Sequence, residues 1–309
     1  MIKIYKNSIQ QPKMKRVEDY ARFSWIRVIA PTESELKDLG KRLNLSEDTL
    51  SDSIDQHEMP ILKKENGNVV IIIRAGVPSK GGSSYKTVPI TIVVSDKYVT
   101  TITREETNVL QDIASGKVPV VTTQRSKFLI SVLLSITYYY QKYITNINRV
   151  VQGKKKNIRY IKSRDVFTLI QNEEILNDFV GSLVPNINVI HKLLTYKQID
   201  LYQADKDLID DLSVDAEQVL AVCNTNLKTV NSIREGYATV LSTRLNQGIK
   251  ALTFMTAFFT IPTMVANIYG MNIILPLADR PEAFWILTGI SITTMAMLLS
   301  GYFFYTHRQ

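Results

Sequence analysis

The sequence predicts a soluble α/β body that continues through a helical stalk into two C-terminal transmembrane helices. Three observations predict it. Charged residues make up 21% of the chain, yet none falls between Ala251 and Tyr269 or between Ala283 and Thr306. Each of these runs reaches the roughly 20 residues that a helix needs to cross about 30 Å of hydrocarbon. β-Branched runs are confined to the part before Ser126, and helical periodicity governs from there on. The expected divisions are an α/β domain over 1–125, a helical region and stalk over 126–249, a first span over 250–270, a loop over 271–282 and a second span over 283–306.

Phe23–Ala30 (FSWIRVIA) reads as a strand. Thr32 with Glu35 forms a capping-box pattern that opens a helix running through Leu43. Val69–Arg74, Pro89–Val94 and Tyr98–Thr103 are further strands, the last two joined by the hairpin connection Ser95-Asp96-Lys97. Phe128–Tyr140 (FLISVLLSITYYY) is apolar but too short to span, so it reads as a buried helix. Gly153 and the lysines after it break that helix, and Val184-Pro185-Asn186 marks a second break or kink. The last helical stretch begins near Tyr202 and meets no proline before Pro262. A helix of about 65 residues would be roughly 100 Å long, and a helix that long reads as a rod running from the body into the membrane.

Charge places the flanks. Arg244 and Lys250 precede the first span, and His307 and Arg308 follow the second, whereas the short loop carries Asp279 and Glu282 against Arg280. The positive-inside rule therefore puts the body and both termini in the cytoplasm. The N-terminus, MIKIYKNSIQQPKMKR, is polar and basic and lacks the apolar core of a signal peptide. The single cysteine, Cys223, excludes an intrachain disulfide and suits a reducing compartment. His57, His191 and His307 lie far apart and show no metal-ligand spacing. Gly76–Ser83 approaches a phosphate-binding loop, but Gly82 stands where its lysine belongs and a strand follows, so it reads as a hairpin loop. Paired catalytic acids, a nucleophile motif and a nucleotide loop are all missing, so no enzyme is expected, and no nucleic-acid partner.

On a helix at 100° per residue, Thr256, Thr260, Thr263 and Asn267 fall in one sector of about 60°. Ser242 and Ile249 lie in the same sector, with Leu252 on one border and Asn246 and Thr253 on the other. Such a stripe has two explanations. It ties helices together at about 1 kcal/mol per contact, or it lines a pore built from several subunits. Neither span carries a carboxylate. Hydroxyls and amides cannot strip a divalent cation, and Mg²⁺ keeps its waters tenaciously, so the pore reading suits a hydrated ion. Ile249 and Leu252 are then candidates for an apolar constriction that gates by dewetting, or else ordinary packing residues.

Beyond the stripe stands Tyr269-Gly270-Met271-Asn272, between the two spans, with the chain ending just after the second. This placement of Gly-Met-Asn resembles the CorA family of divalent-cation channels. Pro262, and Tyr237, Asn246, Lys250, Leu252 and Thr253 at the stalk–membrane junction, are similar to that family too, as is Leu50-Ser-Asp52 followed by His57 and Pro60. The resemblance implies a homopentameric funnel whose long first transmembrane helices line the pore, with Gly270, Met271 and Asn272 at the selective mouth and Asn246, Ile249, Leu252, Thr256, Thr260, Thr263 and Asn267 along it. It implies passage of Mg²⁺, with Co²⁺ and Ni²⁺, across the inner (plasma) membrane. It also implies closure by cytoplasmic Mg²⁺ held between Asp52 and Asp211 of neighbouring subunits. Some positions depart from the family. The outer loop reads LPLADRPE instead of MPEL, leaving Asp279 and Glu282 to concentrate cations near the mouth. Ser51 stands where an acid is common. The stretch Gly153–Arg164 is basic where the family is often acidic; it reads as a solvated helix end or as a contact for anionic lipid. A zinc transporter of the same architecture and a membrane-anchored sensor without transport are the competing readings.

Overall fold

The computed structural model describes the chain apart from residues 80, 83, 157–160, 197–200, 273–275, 277–279 and 308–309. It divides into two compact units, Met1–Arg234 and Glu235–Gln309.

The first unit is built on one seven-stranded sheet. Its strands are β1 (Ile2–Lys6), β2 (Lys15–Val17), β3 (Ser24–Ile29), β4 (Ile61–Glu65), β5 (Asn68–Pro78), β6 (Tyr85–Val94) and β7 (Tyr98–Thr103), in the order β2-β1-β3-β7-β6-β5-β4. Neighbours run antiparallel except β3 and β7, which are parallel. Between β3 and β4 come α1 (Glu33–Leu43) and α2 (Glu47–Asp52), and α3 (Asn108–Ala114) follows β7. The capping box at Thr32 is formed: the Glu35 amide donates to Thr32 Oγ1 at 3.3 Å, and the Thr32 amide donates to the Glu35 carboxylate at 2.9 Å.

Both faces of the sheet are covered. On one, Ile26, Val28, Val70, Val93 and Ile102 pack with Leu39 and Leu43 of α1. On the other lie α4 (Arg125–Lys156) and α5 (Ser163–Thr195). There Trp25 meets Phe128 at 5.3 Å between ring centres, and Tyr140 meets Phe179 edge-on at 5.0 Å. Burial on two faces is why β5 reads as an unbroken apolar run through Val69–Ile73 instead of alternating. Each such side chain contributes about 1.5–3 kcal/mol when fully buried.

The structure departs from the sequence reading in three places. First, of the break or kink read at Val184-Pro185-Asn186, the break does not occur: α5 runs through Pro185. Leu183, Ile187 and Ile190 are buried on either side, and that packing outweighs the roughly 3 kcal/mol that an interior proline costs. Asn186 then binds the sheet at two points, accepting from the Arg74 amide at 3.0 Å and donating to the Arg74 carbonyl at 2.7 Å. Second, Gly76 belongs to β5, not to the hairpin loop. A Cβ there would sit 3.3 Å from the Tyr143 ring and 3.4 Å from that of Tyr140, so glycine lets these rings lie on the strand. Third, β1, β2, β4, α2 and α3 go unforeseen because they are short and, at the sheet edges, rich in lysine.

The stalk and first span form one helix, α6 (Gln203–Tyr269), of 67 residues. Within the first unit, α6 lies against α5: Cys223 reaches the Leu176 carbonyl, and Arg234 pairs with Glu173 at 2.5 Å. The buried residues of α6 end at Ile233. In the second unit, the remainder of α6 and α7 (Ala283–His307) expose large apolar side chains: Leu252, Met255, Phe259 and Met264 on α6, and Trp285 and Met297 on α7. Two helices are thus long and apolar enough to cross a membrane.

Candidate functional site

One face of the C-terminal part of α6 forms a groove. Thr256, Thr260, Thr263 and Asn267 line it together with Met264 and Met271. All are exposed. The three hydroxyls bond to their own helix: Thr256 donates to the Leu252 carbonyl at 3.0 Å, Thr260 to Thr256 at 2.7 Å and Thr263 to Phe259 at 2.8 Å. None of these donations goes to α7. With the hydrogen used inward, each oxygen presents its lone pairs outward as an acceptor. Lower on the same helix, Asn246, Ile249 and Leu252 are exposed, the last two at 61% and 65%.

At the C-terminal end of α6 the chain turns. The Gly270 amide donates to the Ala266 carbonyl at 2.9 Å and the Met271 amide to Ile268 at 3.3 Å. A Cβ on Gly270 would lie 3.3 Å from the Ala266 oxygen, tighter than ordinary contact, so glycine suits this close turn. Asn272 follows in a bend and is exposed. Tyr269 extends across the loop, its hydroxyl donating to the Pro276 carbonyl at 3.1 Å. The sequence reading missed this clasp, although a tyrosine beside the tripeptide was its only available sign. Glu282 is exposed ahead of α7, where its carbonyl accepts from Trp285 and Ile286 at 3.1 Å. Asp279 lies outside the described residues.

The candidate regulatory residues lie in the first unit. Asp52 closes α2, and Lys63 of β4 reaches its Oδ2 at 3.2 Å, both side chains about one-third exposed (34% and 32%). Glu65, also on β4, fixes α2 by accepting from the Ser46 amide and the Thr49 hydroxyl. Burial pulls the Glu65 carboxyl upward, but those two donors outweigh it and hold it below the usual carboxylate range. Asp211 stands on an exposed face of α6 among Leu208 and Val214, themselves 40% and 64% exposed. Among the described residues, no group brings three His, Cys, Asp or Glu side chains together for a metal. In the basic stretch, Lys154 is neutralised by Asp165 at 2.5 Å.

An α/β domain, a long helix whose apolar end carries one polar face, and one further apolar helix are the architecture expected of a membrane protein. Comparison with known proteins makes the class specific. The family model described as CorA-like Mg²⁺ transporter protein matches residues 20–305. The chain is 26% identical to the cobalt/magnesium transport protein CorA of Methanocaldococcus jannaschii, over 94% of each. The full-length structure of CorA magnesium transporter from the same organism superposes with a TM-score of 0.84, at 21% identity over 97% of this chain and 96% of that one. Full-length CmaX protein has the same fold, with a TM-score of 0.76 at 17% identity over 97% and 96% of the two chains. The chain belongs to the CorA family, whose members are ion transporters and not enzymes.

Proposed function

We propose that this protein is a channel that passes hydrated Mg²⁺, and with it Co²⁺ and Ni²⁺, into the cytoplasm, working as a homopentamer in the inner membrane with both termini inside. The observation that carries this is the row of outward acceptors on α6. A hydrated divalent cation presents water hydrogens, and acceptors along a pore wall hold those waters without asking the ion to shed them. The relative in Methanocaldococcus jannaschii is a cobalt/magnesium transport protein, which supports the same cargo here.

Two helices per chain cannot enclose a pore, so copies must combine. Exposed Leu241, Leu245, Ile249 and Leu252 recur at helical spacing on the same face as the threonines and continue the proposed pore wall inward as an apolar stretch. In this reading Gly270, Met271 and Asn272 form the outer mouth, with Glu282 and Asp279 raising local cation concentration. Span boundaries at 250–270 and 283–306 belong to the same reading.

Regulation in this reading uses carboxylates from two neighbouring copies. Asp52 and Asp211 are hard oxygen donors, which suit Mg²⁺. In an assembly, Asp52 of one copy and Asp211 of the next would hold the ion, and its loss would leave like charges to repel. The exposed apolar neighbours of Asp211 are consistent with a partner surface there. The decisive experiment is Mg²⁺ uptake into proteoliposomes by the Asn272→Ala variant. Uptake should fall at least tenfold, and normal uptake would remove Asn272 from the mouth.

A further inference from the structure

A cavity of about 400 Å³ opens where the start of α4, the turn between β6 and β7 and the start of α6 meet, all within the first unit. Its walls carry charge of both signs, kept apart. On one side stand Arg125 and Lys127, in the first turn of α4. The first bond inside that helix runs from the Phe128 amide to the Gln124 carbonyl at 2.9 Å, so the amides of Arg125 and Lys127 lie ahead of it without helical partners. Arg125 Nη1 donates to the Ser95 carbonyl and lies 3.7 Å from Asp96, which is 96% exposed. That anchor holds the guanidinium in the wall and leaves its other N–H groups for a ligand. On the other side is Asp205, in the first turn of α6 and 1% exposed. The positive end of the helix suits its charge, yet among the described residues no donor reaches its Oδ1. A buried carboxylate oxygen without a donor is costly, and this residue borders the cavity. Tyr202, which is exposed, adds an aromatic ring to the same wall.

We propose that this cavity binds a nucleoside phosphate. The phosphate sits at the start of α4, where amides outside the helical ladder, the helix dipole and two cations all favour an anion. The other end of the ligand must donate, because an ionised Asp205 can only accept. A sugar hydroxyl or a base amino group meets that need, much as an acidic side chain takes the ribose hydroxyl in dinucleotide-binding folds. Tyr202 gives the base a flat apolar face to stack on. The volume lies toward the lower end of the roughly 300–1,000 Å³ usual for small-molecule sites, which fits one nucleotide. Inorganic phosphate would satisfy α4 and leave Asp205 without a donor, and a lone metal ion would face the repulsion of Arg125 and Lys127. The site does not depend on the channel reading. Its walls join α4 and the sheet to the start of α6, so a bound ligand braces the helix that continues as the first span.

The test is titration calorimetry of AMP into the full-length protein in detergent, with EDTA present so that no metal–nucleotide complex contributes. The wild type should bind AMP. Inorganic phosphate and adenosine should each bind at least about tenfold more weakly, since each satisfies one end of the cavity only. Asp205→Asn should weaken AMP binding at least about tenfold, the loss of a hydrogen bond to a charged acceptor. Lys127→Gln, at an exposed position, should weaken it about twofold to fivefold. Lys37→Gln, on α1, should leave it unchanged. Size-exclusion chromatography checks that the variants keep the wild-type assembly; if Asp205→Asn does not, Lys127→Gln decides alone. Absence of AMP binding, phosphate or adenosine binding as tight as that of AMP, or an unchanged AMP affinity in either cavity variant overturns the site.

Discussion

Lys63→Met is the most informative perturbation of the regulatory reading. The Lys63 ammonium lies 3.2 Å from Asp52 Oδ2, so in the regulatory reading it is a tethered cation competing with Mg²⁺ for that carboxylate. At that distance Coulomb's law gives about 5 kcal/mol in a medium of effective dielectric about 20. Both side chains are about one-third exposed. Water screening and the entropy of holding a long side chain cut such a pair to about 0.2–1 kcal/mol. Mg²⁺ must displace this pair to reach the carboxylate. Removing the ammonium should lower the half-inhibiting Mg²⁺ concentration by the same free energy, a factor of about 1.4 to 5. Methionine keeps much of the stem's packing. The assay is flux through proteoliposomes at graded Mg²⁺ on the cytoplasmic side, run for Lys63→Met, Asp52→Asn and the double variant. The double variant should behave as Asp52→Asn alone, since Lys63 then has no partner to release. A half-inhibiting concentration that stays fixed or rises in Lys63→Met would refute the competition. A normal curve in Asp52→Asn would instead remove Asp52 from regulation.

Other outcomes follow from the same contacts. Replacing Thr256 and Thr260 together with leucine should block flux while the oligomer elutes unchanged, because the acceptors go and the apolar packing stays; full flux would return the stripe to a packing role. Asn186→Ala should lower the thermal midpoint followed by circular dichroism, since it strands the Arg74 amide at a cost of about 1–3 kcal/mol; an unchanged midpoint would show that water or a neighbour substitutes. Glu65→Gln should destabilise the first unit at neutral pH. The Glu65 carboxyl is held low in the folded state, so its contribution is present above the unfolded carboxylate range and disappears as pH falls through the folded value. Wild type and variant should converge in acid, and a gap that widened there would contradict the assignment.

Much of this molecule is legible in its sequence because the informative signals are local. The polar stripe is fixed once α6 is a helix, since 100° per residue places Thr256, Thr260 and Thr263 without knowledge of any neighbour. The capping box at Thr32 is equally self-contained. What escaped depends on pairing between distant segments. Lys63 meets Asp52 only because β4 lies beside α2, and Ile61–Glu65 (ILKKE) has too little apolar alternation to announce a strand. His191 meets Glu217 only because α5 and α6 lie together. Pro185 misled for the complementary reason. Its local penalty is real, but the buried residues around it answer to the sheet.

One consequence of the threonine geometry reaches further than holding a cation's waters. A chloride ion, bare or hydrated, is held by hydrogens that point toward it. At Thr256, Thr260 and Thr263 those hydrogens are already given to carbonyls inside the helix. An anion moving along this face would meet oxygen lone pairs at successive turns and find no hydroxyl donor to welcome it. In the channel reading, these neutral hydroxyl dipoles would then favour cations without a charged ring, leaving the Asn267 amide as the donor on that face.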